Sequence, residues 1–186
     1  MSTSPARGAA SAPPDRTRAR TPAAPGPARD LVLRRATAAD IPDIVAMLAD
    51  DALGARRETP DELGPYERAF TRIDGDPHQH LMVAELPADP DGDDAAVRTV
   101  GTLHLTIIPG LSRQGATRSL IEAVRVHADA RGTGLGTRLV EWAVEESRRQ
   151  GCSLVQLTSD VTRVDAHRFY ERLGFEASHL GFKMAL

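Results

Sequence analysis

A glycine-rich stretch in the second half of the chain has the composition of an anion-binding turn. It reads Arg131-Gly132-Thr133-Gly134-Leu135-Gly136 and lies between an apolar run at 120–126 and an amphipathic run at 135–149. Glycines lack a Cβ atom, so main-chain N–H groups can approach a ligand closely there. The first turn of a helix adds unpaired N–H groups and the positive end of the helix dipole. The stretch therefore predicts a turn that binds a phosphate group.

The residues around this turn exclude two common phosphate-binding motifs. The loop of nucleoside triphosphatases requires Gly-Lys followed by Ser or Thr, whereas Gly136 is followed by Thr137 and Arg138. The dinucleotide fingerprint requires Gly-x-Gly-x-x-Gly and an acidic residue about twenty positions later, and this pattern is absent too. The turn must therefore serve another phosphate compound.

Two stretches of the chain resemble signatures of one superfamily. The pattern Arg-x-x-Gly-x-Gly after an apolar run resembles the acetyl-CoA pyrophosphate loop of the GNAT N-acetyltransferases. Residues 165–175, Asp-Ala-His-Arg-Phe-Tyr-Glu-Arg-Leu-Gly-Phe, resemble the second signature of the same superfamily, in the expected order. The resemblance covers residues 31–186, and the part from 161 to 186 is also similar to aminoalkylphosphonate N-acetyltransferases.

The resemblance implies an α/β (α+β) fold of the GNAT type, with a mixed, strongly twisted sheet and helices on both faces. It implies that strands four and five separate and that acetyl-CoA, a co-substrate that needs no metal, lies in the cleft between them. The residues implied to contact acetyl-CoA are Val124, Arg125, Val126, Arg131, Gly132, Thr133, Gly134, Leu135, Gly136, Asp165 and Arg168. Asp165 departs from the asparagine that many members carry there.

The resemblance also places Glu122 opposite the acceptor amine. Strand alternation puts this carboxylate in one row with three aliphatic side chains, Leu120, Val124 and Val126. Partial desolvation in that row predicts a carboxylate that is more basic than usual, and so a better general base. The alternative is an ion pair at the strand end with Arg118 or Arg125, and His127 is the next candidate for the base.

By the same resemblance, Tyr170 is the acid near the CoA sulfur. Apolar residues at 166, 169, 170 and 173 recur at helical spacing, so a tyrosine of the hydrophobic core is the alternative. The region between the first two helices borders the acceptor site in the superfamily. Arg56, Arg57 and Glu58 are therefore candidates for substrate contacts, against the alternative of a solvated charged loop.

Other reactive side chains have weaker patterns, and we predict no metal site. His78 and His80 form a His-x-His pair one strand away from His104, which is an incomplete ligand set. The acidic connection at 87–94 lacks the spacing of a calcium loop. The single cysteine, Cys152, excludes an internal disulfide, and we expect a small buried residue rather than a nucleophile.

Hydrophobic periodicity predicts the elements that position these residues. Strands are expected at 31–36, 81–86, 97–108, 118–126 and 153–158, with closing strands at 176–186. Helices are expected at 41–48, where residues 37–40 form the cap, and at 61–73, 135–149 and 165–173. The alternation of strand and helix after residue 118 predicts a parallel crossover.

Composition bounds the remaining choices. Residues 1–29 are rich in Ala, Pro and Ser and carry five arginines against one aspartate, which predicts a disordered extension rather than a transit peptide. Residues 30–186 form the predicted GNAT domain. A formal net charge of −3 argues against nucleic-acid binding, and no apolar run reaches membrane-spanning length. The lone cysteine and the absence of a secretory signal predict a cytoplasmic protein.

Three functions are compatible with these residues. The first is an acetyl-CoA-dependent N-acetyltransferase for a small-molecule primary amine, the second an acetyltransferase for protein or peptide amines, and the third a catalytically silent acetyl-CoA sensor. The presence of both Glu122 and Tyr170 favours the first two. We expect a small-molecule amine as partner, no nucleic acid and no membrane, and we keep a homodimer open.

Overall fold

Five strands form a single sheet in the computed structural model of the protein, which describes residues 31–50, 53–88 and 96–186. The strands are β1 (Val32–Arg35), β2 (Gln79–Pro87), β3 (Val97–Ile108), β4 (Arg118–Val126) and β5 (Leu154–Leu157). The helices are α1 (Ile41–Ala49), α2 (Gly64–Asp74), the short turn α3 (Ser112–Gly115), α4 (Leu135–Arg149) and α5 (Val164–Arg172). The predicted extension at 1–29 and most of the acidic connection at 87–94 lie outside the described residues.

The strands lie side by side in chain order, from β1 to β5. The first four are antiparallel neighbours, and β5 pairs with β4 in parallel. Since α4 connects β4 to β5, these three elements form the predicted parallel crossover. The mixed sheet and its helices confirm the predicted fold class.

Helices cover both faces of the sheet, as two successive residues of β2 demonstrate. Val83 packs in a cluster with Ile44 of α1 and Phe70 of α2. Its neighbour Ala84 belongs to the larger core cluster, which includes Leu139 of α4. Because successive side chains of a strand point to opposite faces, α1 and α2 cover one face and α4 covers the other. None of the helices in the described ranges combines the length and apolarity needed to cross a membrane.

A charged cluster joins β1, α1 and β2, and we call it the anchor cluster. The guanidinium of Arg34 donates to both carboxylate oxygens of Asp40 at 2.7 Å each and to Glu85 at 2.5 Å. Asp40 also accepts hydrogen bonds from the main-chain N–H and the hydroxyl of Thr37, which confirms the predicted cap. The hydrogen bonds from Arg34 lower the pKa of the buried Asp40, against the opposing effect of burial. The cluster thus fixes the start of α1 on the sheet.

β4 contains a bulge at Ala123, whose φ is +52°. Thr102 of β3 lies opposite Arg125, but His104 lies opposite Glu122, so one residue of β3 faces two residues of β4. Directly opposed residues share a face of the sheet, as do residues two apart on an unbroken strand. Glu122 and Arg125 therefore lie on the same face.

The apolar residues of β4 follow the same shift. Ile121 is buried in the core cluster that includes α4, and Val124 and Val126 pack against that cluster. Glu122 is exposed on the other face. The prediction that Glu122 shares a desolvated row with Val124 and Val126 is therefore wrong, because it assumed an unbroken alternation through residue 123.

The chain after α5 forms no strand between residues 176 and 186, so the predicted closing strands are wrong. A strand requires a neighbour for its main-chain hydrogen bonds. Among the described residues, no strand pairs with this segment: the main-chain groups of residues 179–186 form no hydrogen bonds, and β5, the last strand, pairs only with β4.

Candidate active site

A cleft opens where β4 and β5 separate. Their pairing ends at Ile121 and Leu157, whereas β4 continues to Val126. The space between them has a volume of about 470 Å³, and it is lined by β4, the loop after β5 and α5. Its polar lining includes Glu122, Arg125, Asp160, Arg163, Tyr170 and Lys183. The predicted separation of strands four and five is confirmed.

The glycine-rich turn leads directly into α4. Gly132 and Gly134 have φ values of +78° and +86°, and Gly134 is the residue that caps the helix. Within the described part of the chain, the main-chain N–H groups of residues 132–136 donate no hydrogen bond outside the helix. A Cβ atom at either glycine would meet nothing within 4 Å, so the space in front of the turn is open. Consecutive open N–H groups at the positive end of a helix dipole make this turn suited to a phosphate group.

A smaller hollow of about 250 Å³ lies beside the cleft, next to Arg131 at the start of the turn. Arg125, Arg163 and Val124 line both spaces, and Val126 and Arg131 line the smaller one. Arg131 donates to the carboxylate of Asp50, just after α1, at 2.5 Å and to the carbonyl of Val126 at 3.2 Å. The structure therefore brings Val124, Arg125, Val126 and Arg131 together beside the turn.

Other residues implied to contact acetyl-CoA have different positions. Leu135 is buried in the core cluster. A Cβ atom at Gly136 would lie 3.5 Å from the ring of Phe169, so this glycine faces α5. Asp165 and Arg168 lie exposed on α5, where they form an ion pair at 3.6 Å, and neither lines the two hollows.

Tyr170 belongs both to the core and to the cleft. Its ring packs edge-to-face against Phe169 and Phe175, with centroid distances of 5.1 and 5.9 Å. Burial raises the pKa of Tyr170, while the positive charges of Arg163 and Arg125 act in the opposite direction. The phenol therefore keeps its proton at neutral pH, as an acid for a leaving thiolate must.

The carboxylate of Glu122 faces His104 across the strand pair. His104 Nε2 lies 2.8 Å from the side-chain oxygen of Gln79, which also accepts the hydroxyl hydrogen of Thr106 at 2.9 Å. Since that oxygen is an acceptor, Nε2 carries the hydrogen, and Nδ1 is left with the lone pair. Burial lowers the pKa of His104, and the nearby charge of Glu122 opposes this. A neutral imidazole thus lies opposite Glu122 on the neighbouring strand.

The remaining predicted candidates lie away from the cleft. His80 lies opposite the core residue Leu105, so it is on the other face of the sheet from His104, and the two cannot share a metal ion. No group of three metal-ligating side chains occurs within the described ranges. His127 accepts a hydrogen bond from the N–H of Asp129 and does not line the cleft. Burial raises the pKa of Cys152, which packs against the core cluster.

Charged side chains of both signs line the cleft. Arg57 and Glu58 line it, as the sequence suggested, but Arg56 does not. Sequence reasoning missed Asp160 and Lys183. The position of Asp160 just after β5 was a usable signal, since loops at the carboxyl ends of parallel strands line ligand sites. Nothing in the sequence indicated Lys183.

Three comparisons with known proteins bear on this site. The model of the acetyltransferase (GNAT) family matches residues 43–175, from α1 to the end of α5. The aminoalkylphosphonate N-acetyltransferase of Salmonella typhimurium is 42% identical over 66 residues, which are 36% of this chain and 43% of that protein. The glucosamine 6-phosphate N-acetyltransferase of Trypanosoma brucei brucei is 38% identical over 89 residues, 48% of this chain and 58% of that protein.

The matches thus span about half the length of these two curated relatives. A solved structure is similar over more of the chain. The crystal structure of a transcriptional regulator from Bacillus halodurans C-125 superposes with a TM-score of 0.74 and 45% identity, covering 84% of this chain and 99% of that one.

Proposed function

Since the chain belongs to the acetyltransferase (GNAT) family, we propose that it transfers the acetyl group of acetyl-CoA to the primary amine of a small molecule. One observation carries this proposal: the glycine-rich turn, whose N–H groups at 132–136 are open, begins at Arg131, and Arg131 lines a hollow that shares Val124, Arg125 and Arg163 with the cleft between β4 and β5. Acetyl-CoA is a long thioester with a pyrophosphate group, so it requires a turn that binds phosphate and a strand edge along which its extended arm can bind.

In this proposal the pyrophosphate binds at the glycine-rich turn, near Arg125 and Arg131. The pantetheine arm follows β4 beyond Ile121, where β5 no longer pairs with it. The thioester then lies between Glu122 and Tyr170, both of which line the cleft.

Amide formation needs a base, because an alkylammonium with a pKa of about 10.4 cannot attack a thioester. Glu122 takes that proton, directly or through water, and the neutral imidazole of His104, opposite it on β3, accepts a hydrogen bond from the carboxyl group once that group is protonated. Glu122 is exposed rather than desolvated, so in this proposal an acceptor amine can reach its carboxylate directly. Tyr170 gives its proton to the departing CoA thiolate.

The acceptor in this proposal also carries an anionic group. Four cationic side chains line the cleft, Arg57, Arg125, Arg163 and Lys183, against three carboxylates, Glu58, Glu122 and Asp160. Hydrogen bonds from Thr162 lower the pKa of Asp160, and the positive charges of Arg57 and Lys183 lower it further. Two relatives named for a phosphonate-bearing and a phosphate-bearing amine agree with this class.

The test is thiol release from acetyl-CoA with matched acceptors. We expect a higher kcat/KM for 2-aminoethylphosphonate and glucosamine 6-phosphate than for propylamine, glucosamine or a lysine peptide. Equal kcat/KM for amines with and without an anionic group would contradict the anionic acceptor class, but it would leave the proposed acetyltransferase activity standing. Lysine peptides as the best acceptors would favour the protein acetyltransferase instead.

The sensor alternative predicts a different result in the same experiment. A silent protein binds acetyl-CoA in calorimetry but releases no thiol with any acceptor. The similar Bacillus halodurans structure, described as a transcriptional regulator, gives this alternative some weight. The presence of a base and an acid in one cleft, Glu122 and Tyr170, weighs against it.

A further inference from the structure

The chain contains a single lysine, Lys183, and every other residue in its total of 23 lysines and arginines is an arginine. Acetyl transfer distinguishes these two residue types. An arginine guanidinium keeps its proton in proteins and is no nucleophile, whereas a lysine amine becomes one when it loses a proton. Lys183 therefore carries the one side-chain amine of this chain that can accept an acetyl group.

The structure places this amine at the candidate active site. Lys183 lines the cleft between β4 and β5 together with Glu122 and Tyr170, the proposed base and acid. Its positive charge adds to the hydrogen bonds from Thr162 in lowering the pKa of Asp160, which lines the same cleft. The only lysine of the chain thus lies where the thioester is proposed to react.

The segment that carries Lys183 is held loosely by its main chain. A Cβ atom at Gly181 would lie 3.9 Å from Thr158, which lines the cleft, so the segment passes the end of β5 at this site. Within the described chain, the main-chain groups of residues 179–186 form no hydrogen bonds, and Lys183 is exposed. Its flexible four-carbon side chain can therefore turn toward a thioester in the cleft without breaking a main-chain pair.

Proximity gives this amine an advantage over amines in solution. A nucleophile held beside a bound electrophile reacts at an effective concentration that a dissolved amine does not reach. While an acceptor fills the cleft, it separates Lys183 from the thioester. When acetyl-CoA is bound and no acceptor is present, the Lys183 amine is the nearest amine to the thioester.

We propose that Lys183 is a self-acetylation site, at which the protein transfers an acetyl group from acetyl-CoA to its own side chain. The position of the thioester in this inference rests on the proposed function. A bond forms between Nζ and the carbonyl carbon, and the carbon–sulfur bond breaks. Of the two protons that the ammonium loses, one leaves to solvent through Glu122, and Tyr170 supplies the proton of the CoA thiol and is reprotonated by the other.

Acetylation changes the charge of the cleft, because an amide is neutral where the ammonium was positive. The four cations that line the cleft become three, against the same three carboxylates. The modified cleft has less positive charge for an anionic acceptor.

The test is incubation of the purified full chain with acetyl-CoA alone, followed by intact mass spectrometry and peptide mapping. We expect one acetyl group on Lys183 per chain of 20.0 kDa. The rate per chain should not depend on protein concentration, because the amine and the cleft belong to the same copy. Lys183→Arg keeps the positive charge and should lose this label, and peptide mapping distinguishes the label from one on the N-terminal amine.

Arg148→Lys supplies a matched control within one molecule. The side chain of Arg148 is 70% exposed on α4 and lines neither hollow, so this variant has a second accessible amine away from the cleft. Uncatalysed acetylation by acetyl-CoA would label both amines alike. We expect Lys183 to be labelled about tenfold faster than position 148, or more.

Equal labelling at the two positions, a rate that rises with protein concentration, or an unlabelled Lys183 in a chain that binds acetyl-CoA in calorimetry would each overturn the proposal. Thiol release with external amines, measured on the same preparation, separates this inference from the proposed function. Turnover of an external amine without a label on Lys183 contradicts self-acetylation alone. A label on Lys183 without such turnover supports self-acetylation and contradicts the small-molecule transferase.

Discussion

The carboxylate of Asp40 is buried and accepts four hydrogen bonds, whereas that of Glu122 is exposed and accepts none from the described residues. Asp40 lies beside β1 and β2 at the start of α1, whereas Glu122 lies on β4. In the anchor cluster, the charged groups pair with one another, and these interactions stabilise the fold. Glu122 instead exposes its carboxylate in the cleft, where a ligand can contact it. Substitutions in the anchor cluster should therefore lower the free energy of unfolding and leave kcat unchanged, whereas substitutions in the cleft should lower ligand binding or kcat.

The glycine-rich turn should show the functional signature at its strongest. Gly134→Glu adds a negative charge and a side chain where the pyrophosphate is proposed to bind. Losing three charge-assisted hydrogen bonds at roughly 1.5–3 kcal/mol each weakens acetyl-CoA binding about a thousandfold or more. Isothermal calorimetry measures this loss.

Gly151→Glu is the matched control for that variant. Gly151 follows the other end of α4, has a φ of +70° and faces open space, so the strain and the added charge are alike. Both variants should lower the melting temperature through backbone strain, Gly151→Glu somewhat more because its charge lies at the negative end of the dipole of α4. If both also bind acetyl-CoA equally, the turn is not the donor site.

The proposed acid and base should affect turnover without affecting stability. Glu122→Gln should lower kcat roughly 10²–10⁴-fold and flatten the acidic limb of the pH–rate profile. Tyr170→Phe should lower kcat comparably and keep that limb. Stopped-flow thiol release with calorimetric affinity separates chemistry from binding. A parental kcat and limb in Glu122→Gln would place the base elsewhere.

The anchor cluster should show the reverse. Asp40→Asn removes the charge that holds Arg34, and we expect a loss of about 2–3 kcal/mol in the free energy of unfolding with kcat unchanged. Because the folded pKa of Asp40 lies below 3.8, its stabilisation is complete above that pH and is lost as the pH falls further. Urea titrations from pH 7 to pH 3 should show this acid sensitivity in the parent and less of it in the variant.

His104 tests whether the cleft extends to the neighbouring strand. His104→Gln should lower kcat about tenfold, less than Glu122→Gln, as expected for a group that supports the base. His80→Gln lies on the opposite face of the sheet and should leave kcat unchanged. Equal kcat values in the two variants would make His104 a purely structural residue.

The first 29 residues should have the smallest effect. The sequence offers the core no apolar surface there beyond alanine, proline and the first methionine. A chain that begins at residue 30 should therefore melt and turn over like the full chain. A large drop in either quantity would show that this part docks on the domain.

Local patterns were predictable from the sequence, and contacts between distant residues were not. The cap formed by Thr37 and Asp40 and the turn at Gly134 depend on residues within a few positions, and both are confirmed. The bulge at Ala123 depends on the register against β3, more than fifteen residues earlier in the chain. Periodicity alone therefore predicted an unbroken strand through this residue.

The same limit applies to the candidate site. Arg57 and Glu58 were named as candidates because the family borders its acceptor site there. Lys183 reaches the cleft only through the path of the chain after α5, which no pattern of residue types encodes. The prediction of closing strands was wrong for a related reason, since an alternating segment becomes a strand only where its main chain pairs with a neighbouring strand.

Gly136, in the first turn of α4, lies against Phe169 of α5, the helix that carries Tyr170. A ligand that needs both helices in place binds the folded state alone. At one hundred times its dissociation constant it adds about 2.7 kcal/mol to the free energy of unfolding. Bound acetyl-CoA is therefore expected to stabilise this end of the sheet against unfolding, and protein made where it is scarce should be degraded faster.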